Sequence, residues 1–276
     1  MSEAPSNKHK SPYAVEARGV TQSFDGKRKV LSNVSFKVKH GEILIIMGGS
    51  GCGKSTLLKV LIGLLKPTEG EVFIDGTEIT KLNDRELSSV RKRFGMLFQY
   101  SALFNSLTLG ENVALPILES SDVSPSIAEL MARLKLEMVG MNGFEHLKPA
   151  EISGGMKKRV GMARGLALDP DLLFCDEPTS GLDPVTTATI DKLTLDLTRM
   201  LGISAVVVTH DMTSAFRIGT QMIYLSDGKV LVSGTPEEVK QNPNPNLQQF
   251  INGHADGPIP FKLSKDDWLN SLKKQT

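Results

Sequence analysis

Hydrophobic and polar positions along the chain fall into short apolar runs that alternate with amphipathic ones, the pattern of an α/β protein. Two strand-like stretches come first, Ala14 to Phe24 and Lys29 to Val38, separated by the turn residues Asp25-Gly26. The unbroken apolar run Ile43 to Met47 leads into a helix-like run, Thr56 to Leu61, and Gly70 to Gly76 alternates like a half-exposed strand. The charged segment Leu82 to Arg93 predicts a helix, and Phe94 to Phe98 a strand. From Tyr100 to about Lys148 the pattern shifts to helices and loops, including Pro125 to Leu134, which reads as a helical insertion. Alternation resumes with a helix at Lys157 to Ala167, a buried strand from Leu172, a helix from Val185 and the strand Ala205 to Thr209. A hairpin, Met222 to Leu225 and Lys229 to Val232, precedes a short helix at Pro236 to Lys240. The remainder is rich in Pro and Asn and ends in an amphipathic stretch that holds Trp268.

Composition narrows the function classes. The 276 residues can hold one large domain or two small ones with a real core. A net charge of +1, scattered Lys and Arg and few aromatics argue against nucleic acid as the main ligand. The 2 cysteines, Cys52 and Cys175, lack metal-ligand spacing and fit a reduced cytosolic compartment. The polar start lacks the apolar core of a secretory signal, and no run approaches the ~18 apolar residues of a membrane span, so a membrane role is expected to come through a partner.

The chemistry is expected at the turns that follow the strands. Gly48-Gly49-Ser50-Gly51-Cys52-Gly53-Lys54-Ser55 lies between a strand and a helix and has the spacing of the P-loop. Its glycines let successive N–H groups converge on an anion at the helix N-terminus. Lys54 would reach the β- and γ-phosphates, and the Ser55 hydroxyl would bind Mg²⁺. Cys52 lies within this cradle, so a bulky thiol reagent is expected to block it unless ATP is bound.

Leu172 to Glu177 ends in two carboxylates that a parallel strand delivers to the edge where the P-loop also opens. There Asp176 suits Mg²⁺ through its water shell, and Glu177 suits polarising an attacking water. His210 terminates another buried strand on that edge, as a γ-phosphate contact or as a structural histidine. Gln99 ends a further strand, where a polar side chain can move between nucleotide and solvent. Phe24 reads equally as a ring that stacks on a purine and as a core residue. Ser153-Gly154-Gly155 opens a helix, either as an ordinary N-cap or as a second anion grip, acting within the chain or on another copy. The run Lys157-Lys158-Arg159 reads as a solvated face.

Taken in order, the P-loop, Gln99, Ser153-Gly154-Gly155, Asp176-Glu177, the turn Ser180-Gly181-Leu182-Asp183 and His210 resemble the nucleotide-binding subunits of ABC transporters over about residues 14 to 240. The resemblance implies a RecA-like P-loop core with an antiparallel β subdomain, spanning 13–98 and 161–240, and a helical subdomain at 99–160. A flexible start at 1–12 and an extension at 241–276 that contacts the dimer or a partner complete it. It also implies a head-to-tail dimer that sandwiches ATP. In such a dimer Phe24 stacks on adenine, and Gly48 to Thr56 hold the phosphates. Ser55, Gln99 and Asp176 serve the metal, while Gln99 also couples the site to the membrane subunits. Ser153, Gly154 and Gly155 grip the other copy's γ-phosphate, with Asp183 beside the nucleotide. Glu177 is the catalytic base, and His210, Lys54 and Gln99 complete the catalytic set.

Met156 departs from the glutamine that most members carry there. That departure, the segment Leu97 to Phe104 and the tail Ala255 to Phe261 resemble the ATPases of the Mla/Mce lipid-transport systems of Gram-negative bacteria. This likeness implies phospholipid cargo moved between inner and outer membranes, and a position on the cytoplasmic side of the inner membrane. The partners it implies are a permease, an Mce-domain substrate-binding protein and a STAS-domain subunit. Its tail would cross to the other protomer. An amino-acid importer and a soluble ABC ATPase share the nucleotide motifs and stand as alternatives.

Overall fold

A computed structural model describes residues 10–26 and 28–258 of the chain. Two sheets organise it. In the first, β1 (Tyr13–Ser23) pairs antiparallel with β2 (Lys29–Lys39). The central strand of the second is β3 (Ile43–Met47), which runs through the P-loop into α1 (Lys54–Leu61). The chain then returns to the first sheet as β4 (Glu69–Ile74) and the short β5 (Thr77–Glu78), giving the order β2-β1-β4-β5.

Next come α2 (Asp84–Arg91) and β6 (Phe94–Leu97). The helices α3 (Leu109–Ser120) and α4 (Pro125–Met138) form the insertion, and α5 (Gly154–Gly165) leads back to the core. Then follow β7 (Leu172–Asp176), α6 (Pro184–Leu201), β8 (Ser204–Val208), α7 (Met212–Ile218) and the hairpin β9 (Gln221–Ser226) and β10 (Lys229–Gly234). The chain closes its described part with α8 (Pro236–Gln241) and α9 (Pro245–Asn252).

The second sheet has the order β10-β9-β3-β8-β7-β6, parallel throughout except for β10. Both of its faces are covered, which explains why β3 and β8 read as unbroken apolar runs. With a period of two, Ile43, Ile45 and Met47 enter the core shared with α3, α4 and α5, whereas Leu44 and Ile46 enter the core shared with α1 and the first sheet. One strand thereby joins the two halves of the interior.

α5 runs without a break across positions 160 and 161, as the helix expected over Lys157 to Ala167 requires, so the subdomain boundary that the family resemblance implies falls inside one helix. The reason is local. A Cβ on Gly161 would stand 2.9 Å from Leu97 Cδ1, and one on Gly95 would stand 2.1 Å from the Gly165 carbonyl oxygen. Helix and strand therefore touch backbone to backbone, and the insertion and the core share one rigid element.

As far as Asn252 the extension packs on its own chain. Leu247 is buried, and the Phe250 ring packs on Tyr224 with centroids 5.4 Å apart, so α9 covers the core of its own chain. Residues 1–9 and 259–276, with Trp268 and the Ile259-Pro260-Phe261 end of the expected crossing tail, lie outside the described residues. Among the described residues no helix is long and apolar enough to cross a membrane.

Candidate functional site

Parallel neighbours point their C-terminal ends to the same sheet edge, and here the strand order turns that rule into a site. β3 releases the P-loop, its neighbour β8 releases His210, β7 releases Glu177 and β6 releases Gln99. These segments, far apart in sequence, thus stand side by side.

The cradle is shaped by close backbone packing. Gly48 has φ 155°, and a Cβ there would fall 2.2 Å from the Leu225 carbonyl oxygen and 2.7 Å from Cys52 Sγ. Gly53, at φ 108°, is the N-cap of α1, whose first turn carries no acid. Helix dipole and free N–H groups there favour an anion. The Lys54 ammonium donates to the carbonyl oxygens of Gly48 at 2.7 Å and Gly49 at 3.0 Å, which holds its charge over the loop. Ser50, Gly51 and Ser55 are exposed, and Thr56 is half-buried. Cys52 turns its thiol inward, so it offers the site only its backbone, and burial pushes that thiol up.

Asp176 is half-buried. Burial and the adjacent Glu177 charge raise its pKa, against the pull of Lys158 and Lys54. A cation beside it would relieve that strain. The Ser55 hydroxyl and the Asp176 carboxylate are hard oxygen donors, and among the described residues no three His, Cys, Asp or Glu cluster into a metal cage. Two such donors completed by phosphate oxygens and water are what Mg²⁺ takes, so these residues fit it.

Glu177 has φ 48°, a left-handed conformation that costs about 1–2 kcal/mol outside glycine. The strand ladder holds it there, its N–H donating to Val208 O at 2.9 Å. In that pose its carboxylate meets His210, with Nδ1 at 2.8 Å from Oε1 and the His210 N–H at 3.4 Å from Oε2. A carboxylate so held accepts protons and orients water. α7, which follows His210, is tied to α6 through buried Asp191, which accepts from Arg217 at 2.5 Å and from Ser214.

The other expected residues occupy varied positions. Gln99 is half-buried, and its Nε2 lies 3.5 Å from Ser180 Oγ. Phe24 follows β1 with 67% of its surface exposed, which rules out the core reading. The hairpin that carries it touches the cradle, since Val30 O lies 2.9 Å from the Cβ position of Gly53. Ser153 is an N-cap, accepting from Met156 N–H at 3.3 Å, and both it and Gly154 are exposed. Gly155 is buried, where a Cβ would strike Thr186 Cγ2 at 2.6 Å. Asp183 spends its carboxylate on α6, accepting from Val185 and Thr186 N–H at 3.0 Å and from Thr186 Oγ1 at 2.5 Å. That capping holds its pKa below the usual carboxylate range, and the residue shapes the turn rather than presenting a free ligand.

Sequence reasoning missed Lys158, which it took for part of a solvated face. The structure buries it, donating to the carbonyl oxygens of Gln99 and Glu177. Helical phase puts Lys158 on one face with Gly161 and Gly165, but the sequence does not say that this face is the buried one.

The ABC transporter family matches residues 31–180. The intermembrane phospholipid transport system ATP-binding protein MlaF of Haemophilus influenzae is 41% identical over 247 residues, 90% of this chain and 94% of that protein. A protein of Mycobacterium tuberculosis named as a probable ribonucleotide transport ATP-binding protein, mkl, is 40% identical over 254 residues, 92% of this chain and 70% of its own length. Among solved structures, the dimeric ATP-binding cassette MJ0796, in a post-hydrolysis state bound to ADP and Pi, superposes with a TM-score of 0.74. It is 38% identical and covers 80% of this chain and 98% of its own.

Proposed function

The chain belongs to the ABC transporter family and is an ABC-type ATPase, and from that premise we propose that it powers phospholipid movement between the inner and outer membranes of a Gram-negative bacterium. The observation that carries the ATPase chemistry is the convergence of the P-loop, His210, Glu177 and Gln99 on one sheet edge. The cargo reading rests on the name of the relative that this chain matches over nearly its whole length.

In the proposed cycle Lys54 and the loop N–H groups hold the β- and γ-phosphates, and Phe24 stacks on the base. Ser55 and Asp176, with Gln99 near, would hold Mg²⁺, which neutralises phosphate charge. Glu177 positions and polarises the attacking water, and His210 holds that carboxylate and contacts the γ-phosphate once the site closes. The exposed Ser153 turn of a second copy completes the anion grip from across a head-to-tail dimer. The dimeric state of the MJ0796 cassette supports that arrangement.

Coupling to a permease has a surface to use. A groove beside β6 is lined by Phe98, Phe104, Leu115 and Pro116 with Arg91 and Arg164 at its sides, and Tyr100 next to it is 85% exposed. We place the permease there, and an Mce-domain protein and a STAS-domain subunit in the same complex, with this subunit peripheral on the cytoplasmic side. The mkl relative keeps a ribonucleotide cargo as the second reading. Purification of the tagged chain from detergent-solubilised membranes decides between them. A permease together with an Mce-domain protein is the expected catch, and a permease with no such protein would overturn the lipid reading.

A further inference from the structure

Lys158 stands where the proposed chemistry needs no charge. It has 4% of its surface exposed, and its ammonium donates to backbone carbonyl oxygens, that of Gln99 and, at 3.1 Å, that of Glu177. Removing an ammonium from water costs several kcal/mol, and an apolar side chain would fill the space without that penalty. The position is therefore explained by what the ammonium holds.

It holds two of the segments that meet at the nucleotide edge, and α5 grips one of them again further along. Arg164 donates to Ala102 O at 2.6 Å and to Ser101 O at 2.8 Å. Ser101 and Ala102 have φ of 60° and 47°, a strained pair that these bonds stabilise. Between the two grips, a Cβ on Gly161 would stand 3.2 Å from Ser101 Cβ, so helix and segment lie in direct contact. Residues 99–102 are thus fastened to α5 at both ends.

The opposite end of the same helix is the exposed Ser153-Gly154 turn, about 6 Å from Lys158 at 1.5 Å per residue. Over so short a stretch an α-helix moves as one body. A displacement of the turn reaches Gln99 and Glu177 through Lys158 without an intervening loop.

We propose that Lys158 is a positioning residue that couples the composite sites of the dimer: when another copy's nucleotide engages Ser153 to Gly155, Lys158 sets Gln99 and Glu177 of its own site for hydrolysis. The inference rests on the head-to-tail dimer of the proposed function. It assigns Lys158 no contact with nucleotide. A purely structural anchor would alter stability alone, whereas a coupling residue alters turnover and cooperativity while leaving nucleotide affinity in place.

The test compares the full-length wild type, Lys158→Met, which keeps the apolar stem, and Lys158→Gln, which can still donate to a carbonyl. Hydrolysis is followed against ATP concentration, binding with a fluorescent ATP analogue, and folding by circular dichroism and thermal melting. The wild type is expected to hydrolyse ATP with a Hill coefficient above 1. Lys158→Met is expected to bind the analogue within about twofold of wild type, to lose about tenfold or more in kcat and to fall to a Hill coefficient near 1, with Lys158→Gln between them. If Lys158→Met does not fold, Lys158→Gln decides by the same criteria. A folded variant with wild-type kcat and Hill coefficient, or one whose only change is a lower melting temperature, overturns the inference. Failure of the wild type itself to hydrolyse ATP or to associate in its presence would sink the proposed function instead, and the wild-type control reveals that before any variant is compared.

Discussion

His210 Nδ1 lies 2.8 Å from Oε1 of Glu177, and the His210 N–H reaches the other carboxylate oxygen at 3.4 Å. Because Glu177 is also held at φ 48°, the carboxylate is fixed from both its backbone and its side chain. Glu177→Gln keeps the shape and removes the proton acceptor. ATP hydrolysis is expected to fall by about 10²–10⁴-fold while ATP affinity is retained and an ATP-dependent dimer accumulates on size-exclusion chromatography. His210→Ala should lower kcat more than it raises KM, since it frees the carboxylate without touching the cradle. Wild-type turnover in Glu177→Gln would remove Glu177 from its role.

Phe24 is 67% exposed, so its removal is expected to cost the fold little. Phe24→Ala is expected to weaken ATP binding by about 1–3 kcal/mol, the worth of a base–aromatic contact, and to leave the urea midpoint within error of wild type. Titration with a fluorescent ATP analogue and with the corresponding triphosphate lacking a base checks this. The loss should appear only with the base present.

The residues that were legible in the sequence share one trait. The P-loop, Asp176-Glu177 and His210 each follow an apolar run, and a strand buried on both faces is apolar whatever its neighbours are. Lys158 was illegible because Lys157-Lys158-Arg159 carries charge on every face, and which face is buried depends on β6, whose close approach is set by Gly95. The helix itself was legible over Lys157 to Ala167, but the reason it carries Gly161 and Gly165 was not, since both have low helix propensity yet are what the packing requires. For Asp183 the same residue type serves a helix cap and a ligand, and only the bonds to Val185 and Thr186 separate them. The pose of Glu177 has no sequence signature at all, because it is imposed by the β7–β8 ladder.

Both thiols are buried, Cys52 behind Gly48 and Cys175 within β7. Burial pushes Cys52 up, and Cys175 up to about 12, so neither presents a thiolate at neutral pH. This replaces the expectation that a thiol reagent competes with ATP for the cradle. Ellman's reagent should find essentially no reactive thiol in the folded protein, with or without ATP, and 2 after denaturation. Rapid, ATP-sensitive labelling of the native protein would contradict the inward pose of Cys52.

Asp75 ties the first sheet to the second. With 3% of its surface exposed, it accepts from the N–H groups of Lys10 at 2.9 Å and Ser11 at 3.1 Å, and from Arg93, which precedes β6, at 2.6 Å. Burial opposes its ionisation, but Arg93 and the N–H groups outweigh burial and hold the carboxyl below its ordinary range. A carboxylate whose folded pKa is depressed contributes stability that is present above the unfolded value, near pH ~3.9, and lost as the pH falls through the folded value. Asp75→Asn keeps the volume and removes the charge, leaving Arg93 half-buried without its nearest partner. The variant is expected to be about 3 kcal/mol less stable at pH 7 in urea unfolding. As the pH falls from 5 toward 3, the wild type should lose stability faster than the variant, so that the two curves converge. Parallel curves over that interval would show that another carboxylate governs the acid limb and that the Asp75–Arg93 pair does not join the sheets in solution.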